Sequence, residues 1–205
     1  MTSGQAILLR YVLVLALAGT GCLTATACAP KPWPAGTLPD KLDLPKASQI
    51  TQAWSCKDRL GEQLVVATRS PGSPGSPTEG ARTTELTFSK YRQTATGWKK
   101  DWQARDFLNA PPASMAPELI LLGDYDGDGQ ADVFLAYALP GPPAQSDEGK
   151  LLVFYKDQKY AIRGAVAHSP TDFGSRKTSA NFLTLPQAIQ ERAFRLWDKL
   201  NSPRH

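Results

Sequence analysis

The stretch that decides the fold is ELILLGDYDGDGQADVFLAY, residues 118–137, in which two apolar runs flank an acidic turn that contains glycine. The runs, 118–122 and 131–137, are rich in the aliphatic and aromatic residues that favour strands. Both flanks are therefore strand-like rather than helical. The stretch predicts two β-strands joined by the acidic turn.

The remainder of the chain from residue 48 onward continues this β pattern. Runs 62–68 and 84–91 alternate apolar and polar residues with a period of two, which buries one face and predicts that they pair as a hairpin. Together with the runs around the acidic turn, the pattern predicts seven or eight strands. The others are at 97–102 and at 151–155, which turns at 156–159 into 160–162.

Only the end of the chain has a helical pattern. Apolar residues recur at helical spacing over 185–200, and Thr184 opens a segment typical of a capping box. Hydrophobic residues make up 41% of the chain, which is typical of a globular protein and excludes global disorder. We therefore expect a single, mainly β domain at 48–205 with antiparallel strands and a C-terminal helix.

The acidic turn carries carboxylates at alternate positions. Calcium takes about six to eight oxygen ligands, and a chain that coils around the ion points its first, third and fifth residues inward. Asp124, Asp126 and Asp128 occupy those positions, and the glycines among them relieve the tight backbone. The carbonyl of Gln130 is the expected seventh-position ligand, and Asp132 is the ninth, directly or through water. The sequence thus predicts a bound Ca²⁺ ion.

Other interpretations of the acidic turn fit less well. The helix-loop-helix calcium template requires Glu at its twelfth position, where this chain has Leu135, and it requires helices where this chain has strand-like runs. Magnesium prefers rigid octahedral coordination with retained waters. A second interpretation, in which the carboxylates of the turn only face solvent, is an alternative. The alternate spacing with two glycines favours a metal site.

The N-terminus has the pattern of a bacterial lipoprotein signal peptide, residues 1–27. Arg10 precedes a short apolar run, and that run is too short to span a bilayer stably. The small residues 25–27 then precede Cys28, which is the preferred site of lipid attachment, and Cys22 is the alternative. Acyl chains on this cysteine would anchor the protein to a membrane surface.

The site of lipid attachment determines the state of the remaining cysteines. With Cys28 acylated, Cys56 is a single buried thiol and the mature chain has no disulfide; with Cys22 acylated, Cys28 and Cys56 could pair in the oxidising envelope. Five prolines between residues 28 and 47 exclude a helix and predict a tether from the lipid to the domain. Ala29 differs from the Asp of an inner-membrane retention signal, so we expect an outer-membrane anchor facing the periplasm.

Charge and residue types exclude several function classes. Lys and Arg number 23 against 19 Asp and Glu, and a net charge of +4 is too small to indicate a nucleic-acid partner. Histidine occurs only at His168 and His205, and the chain has no zinc-ligand constellation and no GxSxG nucleophile motif. The composition therefore favours binding over catalysis.

The acidic turn with its strands resembles a single FG-GAP or VCBS-type repeat, a calcium-binding element of β-propellers. When segments 54–62 and 159–164 and Trp197 are added, residues 54–197 are similar to a bacterial envelope family. Its members are labelled VCBS-containing or surface-polysaccharide-biosynthesis proteins, and some are periplasmic immunity proteins that block peptidoglycan hydrolases. The resemblance implies an antiparallel or propeller-like β scaffold around one DxDGDGxxD calcium hairpin, with a C-terminal α-helix.

The resemblance also implies a function: a lipid-anchored, calcium-binding envelope protein that inhibits a peptidoglycan hydrolase. Relatives often carry a cysteine pair that flanks the calcium hairpin and is missing here, so no inhibitory residue is carried over. The alternatives are an accessory factor or enzyme of surface-polysaccharide metabolism, with Trp98 or Trp102 stacking on sugar, and a structural lipoprotein.

Overall fold

The computed structural model describes residues 28–34, 36–71, 84–108, 119–139, 147–167 and 174–201. The prediction of a mainly β, antiparallel fold with one C-terminal helix is confirmed. The described strands form two five-stranded sheets and close no barrel. The first sheet contains β1 (Lys31–Pro32), β2 (Gln49–Asp58), β3 (Gly61–Pro71), β4 (Thr84–Thr94) and β5 (Gly97–Leu108); the second contains β6 (Leu119–Gly123), β7 (Asp132–Leu139), β8 (Glu148–Tyr155), β9 (Gln158–Ala165) and β10 (Lys177–Thr178).

Each sheet is a meander in which every strand pairs antiparallel with its neighbour in the chain. The predicted hairpin of runs 62–68 and 84–91 is confirmed as β3–β4. The predicted turn after residue 155 is also confirmed, since Lys156 and Asp157 connect β8 to β9 with φ of +48° and +59°. Two consecutive positive φ values are the mark of a two-residue turn whose twist matches the hairpin.

The two sheets pack face to face around a shared apolar core. Trp102 of β5 stacks on Phe154 of β8 with ring centroids 3.6 Å apart, and Phe88 of β4 contacts Tyr137 of β7 at 5.6 Å. Strands send alternate side chains to opposite faces, so each sheet contributes every second residue to this core. Other buried members are Cys56, Val65, Ala67, Leu86 and Ala104 from the first sheet and Leu122, Val133, Leu135 and Leu152 from the second.

Polar contacts also join the sheets. Lys90 of β4 forms an ion pair with Asp157 at 2.8 Å, and Lys150 of β8 forms one with Asp106 of β5 at 2.7 Å. The hydroxyl of Tyr137 donates to the same Asp106 carboxylate at 2.9 Å. Burial and the negative charge of Asp106 raise the pKa of Tyr137, so this hydroxyl keeps its proton. Because removing one partner would leave a buried charge unpaired, these contacts fix how the sheets face each other.

The outer face of the second sheet is covered by the helix α1 (Gln187–Leu200), preceded by a 3₁₀ turn at Phe182–Thr184. The predicted capping box is wrong. Thr184 lies in the 3₁₀ turn and its hydroxyl donates to the carbonyl of Asn181 at 2.7 Å, so it is not available to cap α1. Pro186 is the N-cap residue and makes no side-chain cap. No helix in the described part of the chain is long and apolar enough to cross a membrane.

The segment predicted to be a tether instead lies against the first sheet. β1 pairs with β2, and the backbone N–H of Trp33 donates to the carbonyl of Ala53 at 2.9 Å. The prolines exclude helix as expected, but the apolar side chains between them bury themselves on the outer face of the sheet. Those side chains are Trp33, Leu38, Leu42 and Leu44, which pack on Leu64, Val66 and Tyr91.

A disulfide joins the start of this segment to β2. Cys28 and Cys56 are both buried and form the bond with their Cα atoms 5.2 Å apart. A sulfur in a disulfide cannot carry a thioether-linked lipid, so the preferred assignment of the lipid to Cys28 is corrected. The pairing is the one expected when Cys22 is the anchor. Cys22 and the rest of residues 1–27 lie outside the described part of the chain.

Candidate metal centre

The acidic turn connects β6 to β7 and brings three predicted ligands together. One carboxylate oxygen from each of Asp124, Asp126 and Asp128 lies within 4.8 Å of the others, and all three side chains are partly buried. Gly127 and Gly129 have φ of +79° and +82°, which lets the backbone coil tightly between the carboxylates. Three negative charges in so small a volume repel each other, and a cation at their centre would remove that repulsion. The cluster could therefore hold a metal ion.

The turn holds its shape through hydrogen bonds from its own backbone. The N–H groups of Gly127 and Gly129 donate to the two oxygens of Asp124 at 2.8 and 2.9 Å. Asp126 accepts from the N–H of Asp128 at 3.2 Å. Each carboxylate oxygen has further lone pairs, so these bonds orient the ligands without using up their capacity for a cation.

The other two predicted ligands have different positions. Asp132 is buried at the start of β7 and accepts from the N–H of Tyr125 at 2.9 Å; it is not among the three clustered carboxylates. Gln130 donates from its side-chain amide to Asp128 at 3.2 Å. Its backbone carbonyl as a ligand stays a prediction, as does a contact of Asp132 with the ion through water.

The protonation of Asp132 reflects the repulsion within the turn. Burial, together with the charges of Asp126, Asp128 and Asp124, raises the pKa of Asp132 to about 7, against an ordinary value of 3.8, although the hydrogen bond from Tyr125 lowers it. Near neutral pH a proton on this carboxyl partly relieves the repulsion. A bound divalent cation would relieve it more completely and keep Asp132 ionised.

One basic side chain missed by the sequence analysis reaches the turn. The ammonium group of Lys156 lies 3.1 Å from Asp128. Burial raises the pKa of Asp128, but hydrogen bonds from Gln130 and Lys156 outweigh it, and the pKa is lowered. The pairing of β7 with β8 explains the approach, because Val133 lies opposite Phe154 and so brings the β8–β9 turn beside the acidic one.

A buried carboxylate of the first sheet supports the acidic turn through a hydrogen bond. Asp58, at the end of β2, accepts from the N–H of Leu60 at 2.7 Å and the side-chain amide of Gln63 at 3.0 Å. It also accepts from the N–H of Ala131 at 2.9 Å, across the interface between the sheets. Next to it, the N–H of Arg59 donates to the carbonyl of Gly129 at 2.9 Å. The β2–β3 turn thereby positions the candidate metal centre.

Replacing Asp58 tests this support. Asp58→Ala leaves three buried or partly buried donors without an acceptor, and we expect the free energy of unfolding to fall by about 3 kcal/mol. The matched control is Asp40→Ala, because Asp40 is exposed and its replacement should change stability by less than about 0.5 kcal/mol. Urea unfolding of both variants measures the difference, and an equal stability for the two would contradict the role assigned to Asp58.

The tryptophans considered for sugar binding form no second site among the described residues. His168 and His205 lie outside the described residues. Trp102, a predicted sugar-stacking residue, has its ring stacked on Phe154 within the core, and Trp98 packs with its ring against the edge of Trp33 at 6.0 Å. The ring positions of these two residues do not favour stacking on a sugar.

Comparison of the chain with protein-family models, with curated proteins and with solved structures finds no match. A function for this chain therefore has to be inferred from its own residues. The observations that bear on it are the clustered carboxylates, the disulfide and the pattern of the N-terminus.

Proposed function

We propose that the chain is an exported calcium-binding protein of the bacterial cell envelope that acts by binding and inhibits a peptidoglycan hydrolase. The observation that carries the proposal is the convergence of Asp124, Asp126 and Asp128 in one coiled turn. Hard cations such as Ca²⁺ are bound by carboxylate and carbonyl oxygens, and calcium accepts irregular geometry. A turn that offers carboxylates of partly exposed residues suits calcium better than magnesium.

The disulfide supports export. Disulfides persist in oxidising compartments such as the periplasm and are rare in the cytosol. The bond between Cys28 and Cys56 agrees with a signal peptide that delivers the chain to such a compartment. The positive N-terminal residue and short apolar run point to the same destination.

Lipid attachment at Cys22 would place the domain close to the membrane. Cys22 lies six positions before Cys28, and six fully extended residues span at most about 22 Å. Since the segment after Cys28 packs on the first sheet, it adds no length to the connection. The proposed anchor therefore holds the domain beside the bilayer instead of on a long tether.

The scaffold favours a role in binding. Two sheets joined by inter-sheet ion pairs, with the N-terminal segment fixed by a disulfide and the acidic turn by a bound ion, would present their loops with little freedom. A preorganised surface loses less entropy when it binds. An inhibitor that occludes a hydrolase cleft needs this rigidity. The resemblance to envelope immunity proteins supplies the class of target, and the described residues supply no catalytic constellation that would favour an enzyme instead.

The test is an inhibition assay. The exported protein is mixed with purified muramidases, amidases and endopeptidases that cleave peptidoglycan, and cell-wall turbidity is followed with calcium or with chelator. We expect the activity of one enzyme class to fall at least about tenfold when the protein is present at an equimolar concentration. Chelator should make this decrease smaller. Full activity of every class at a large excess of the protein would contradict the proposal, and binding or turnover of surface glycans without a protein partner would support the polysaccharide alternative.

A further inference from the structure

A row of basic residues crosses the second sheet in register. Tyr137 of β7 lies opposite Lys150 of β8, Lys150 lies opposite Arg163 of β9, and Arg163 lies opposite Lys177 of β10. All four share the face that carries Phe154 and the inter-sheet core, because side chains on a strand alternate between faces. Three cations therefore lie side by side toward one edge of this face.

Among the described residues, Lys150 is the one of these three cations that has acidic partners. Lys150 is paired with Asp106 at 2.7 Å and with Glu148 at 3.9 Å. Arg163 and Lys177 directly face each other, and neither has a carboxylate within ion-pair distance in the described part of the chain. Like charges directly opposite each other in an antiparallel pair are destabilising. The pair therefore carries a repulsion that an anion between the strands would remove.

The same edge contains a cavity of about 310 Å³. Its lining includes Arg163, Lys177 and a third cation, Lys159, which lies four residues before Arg163 and so on the same face. Ala161 stands between Lys159 and Arg163 and leaves room because its side chain is small. The volume is at the lower end for small-ligand sites, which measure about 300–1,000 Å³.

Backbone contacts hold β10 and the residues beside it against β9. The N–H of Ser179 donates to the carbonyl of Ala161 at 2.8 Å, and the N–H of Ser175 donates to the carbonyl of Ala165 at 3.1 Å. At Gly164 the chain before β10 passes so close that a β-carbon would collide with the carbonyl of Ser175. The absence of a side chain at Gly164 thus lets β10 dock and hold Lys177 opposite Arg163.

We propose that this cavity, hereafter the basic edge cavity, binds a phosphate group carried by a small ester or by a lipid head group. A phosphate group presents up to two negative charges on oxygens that accept from several directions. Guanidinium groups bind such oxygens with two parallel hydrogen bonds, and lysine ammonium groups add point charges. A single carboxylate would neutralise only one of the three cations that line the cavity, Lys159, Arg163 and Lys177. The site is independent of the acidic turn.

The probe is inorganic phosphate, titrated calorimetrically into the full-length protein at low salt in the presence of chelator, so that calcium plays no part. We expect saturable binding that Arg163→Gln and Lys177→Gln each weaken at least about tenfold. The matched control is Lys46→Gln, an exposed lysine of the segment on the first sheet, which should leave the affinity unchanged. Absence of binding, or equal weakening by the control, would overturn the proposal.

A second measurement keeps the proposal testable if binding is weak. Without phosphate, Arg163→Gln removes the like-charge repulsion and should raise the melting temperature, whereas addition of phosphate should stabilise the unaltered protein and not the variant. A lower melting temperature of the variant without phosphate would count against the repulsion. Flotation of the Cys22→Ala protein, which has no lipid anchor of its own, with vesicles of phosphatidylglycerol and of phosphatidylcholine then separates the sources. Flotation that Arg163→Gln abolishes assigns a lipid head group, and phosphate binding without flotation assigns a soluble ester.

Discussion

We expect calcium to raise the melting temperature of this protein by about 5–10 °C, and Asp126→Ala combined with Asp128→Ala to abolish the rise. An ion that binds only the folded state adds about 2.7 kcal/mol of stability when its concentration is a hundred times its dissociation constant. For a domain of this size, each kcal/mol shifts the melting temperature by about 2–4 °C. Scanning calorimetry with millimolar calcium and with chelator measures the increment, which is the relevant quantity because the alanines also remove hydrogen bonds inside the turn.

Two further variants test the increment in melting temperature that calcium is expected to give. Asp40→Ala removes one carboxylate far from the turn in sequence and should keep the full calcium increment. Lys156→Gln removes the ammonium group that lies 3.1 Å from Asp128, and we expect it to bind calcium more tightly because the ion no longer displaces a competing cation. A melting temperature that ignores both calcium and chelator in the unaltered protein would exclude the metal site.

The increment should also depend on pH. In the metal-free protein the pKa of Asp132 is raised from 3.8 to about 7, chiefly by burial. A raised carboxyl pKa means that the folded state holds the proton more tightly than the unfolded chain. The free energy of unfolding of the metal-free protein therefore falls as pH rises from about 4 to about 7 and then levels off. Calcium replaces the proton, so its stabilising effect should be larger at about pH 8 than at about pH 5.5.

Local patterns in the sequence were enough to predict seven of the ten described strands, and they missed β1, β2 and β10. Period-two alternation over 84–91 and the apolar run at 151–155 each fixed a strand, and short connections made neighbouring strands pair. The clustering of Asp124, Asp126 and Asp128 was predictable for the same reason, because the positions of three ligands within five residues depend only on how one turn coils. Features that depend on residues close in sequence are thus the ones that the sequence revealed.

Features that depend on distant residues were missed. Asp58 supports a turn that lies 73 residues further along the chain, and Lys156 reaches Asp128 only because two hairpins pair side by side. The row that joins Arg163 to Lys177 requires the register of β9 with β10, a strand too short to have a periodic signal. The tether was misjudged because its prolines indicate an extended chain and say nothing about where Trp33 and the leucines that follow it are buried.

Loss of the disulfide should have an effect as large as loss of calcium. Cys28 and Cys56 are separated by 28 residues, and closing a loop of that length restricts the unfolded chain by about 3–4 kcal/mol in the chain-entropy model. We expect Cys56→Ala to lower the free energy of unfolding by that amount, and a reductant to lower the stability of the unaltered protein equally. Urea unfolding with and without reductant measures both effects.

The same cysteines decide how the protein is attached to the membrane. Cys22→Ala should leave the stability of the domain unchanged and release the protein from the membrane fraction, because it removes the proposed lipid site and no contact of the described domain. Cys56→Ala should do the reverse, weakening the fold while the protein stays anchored. Mass spectrometry of the N-terminal peptide adds a direct readout. A diacylglyceryl group on Cys28, together with a free thiol at Cys56, would contradict the disulfide and restore Cys28 as the site of the lipid.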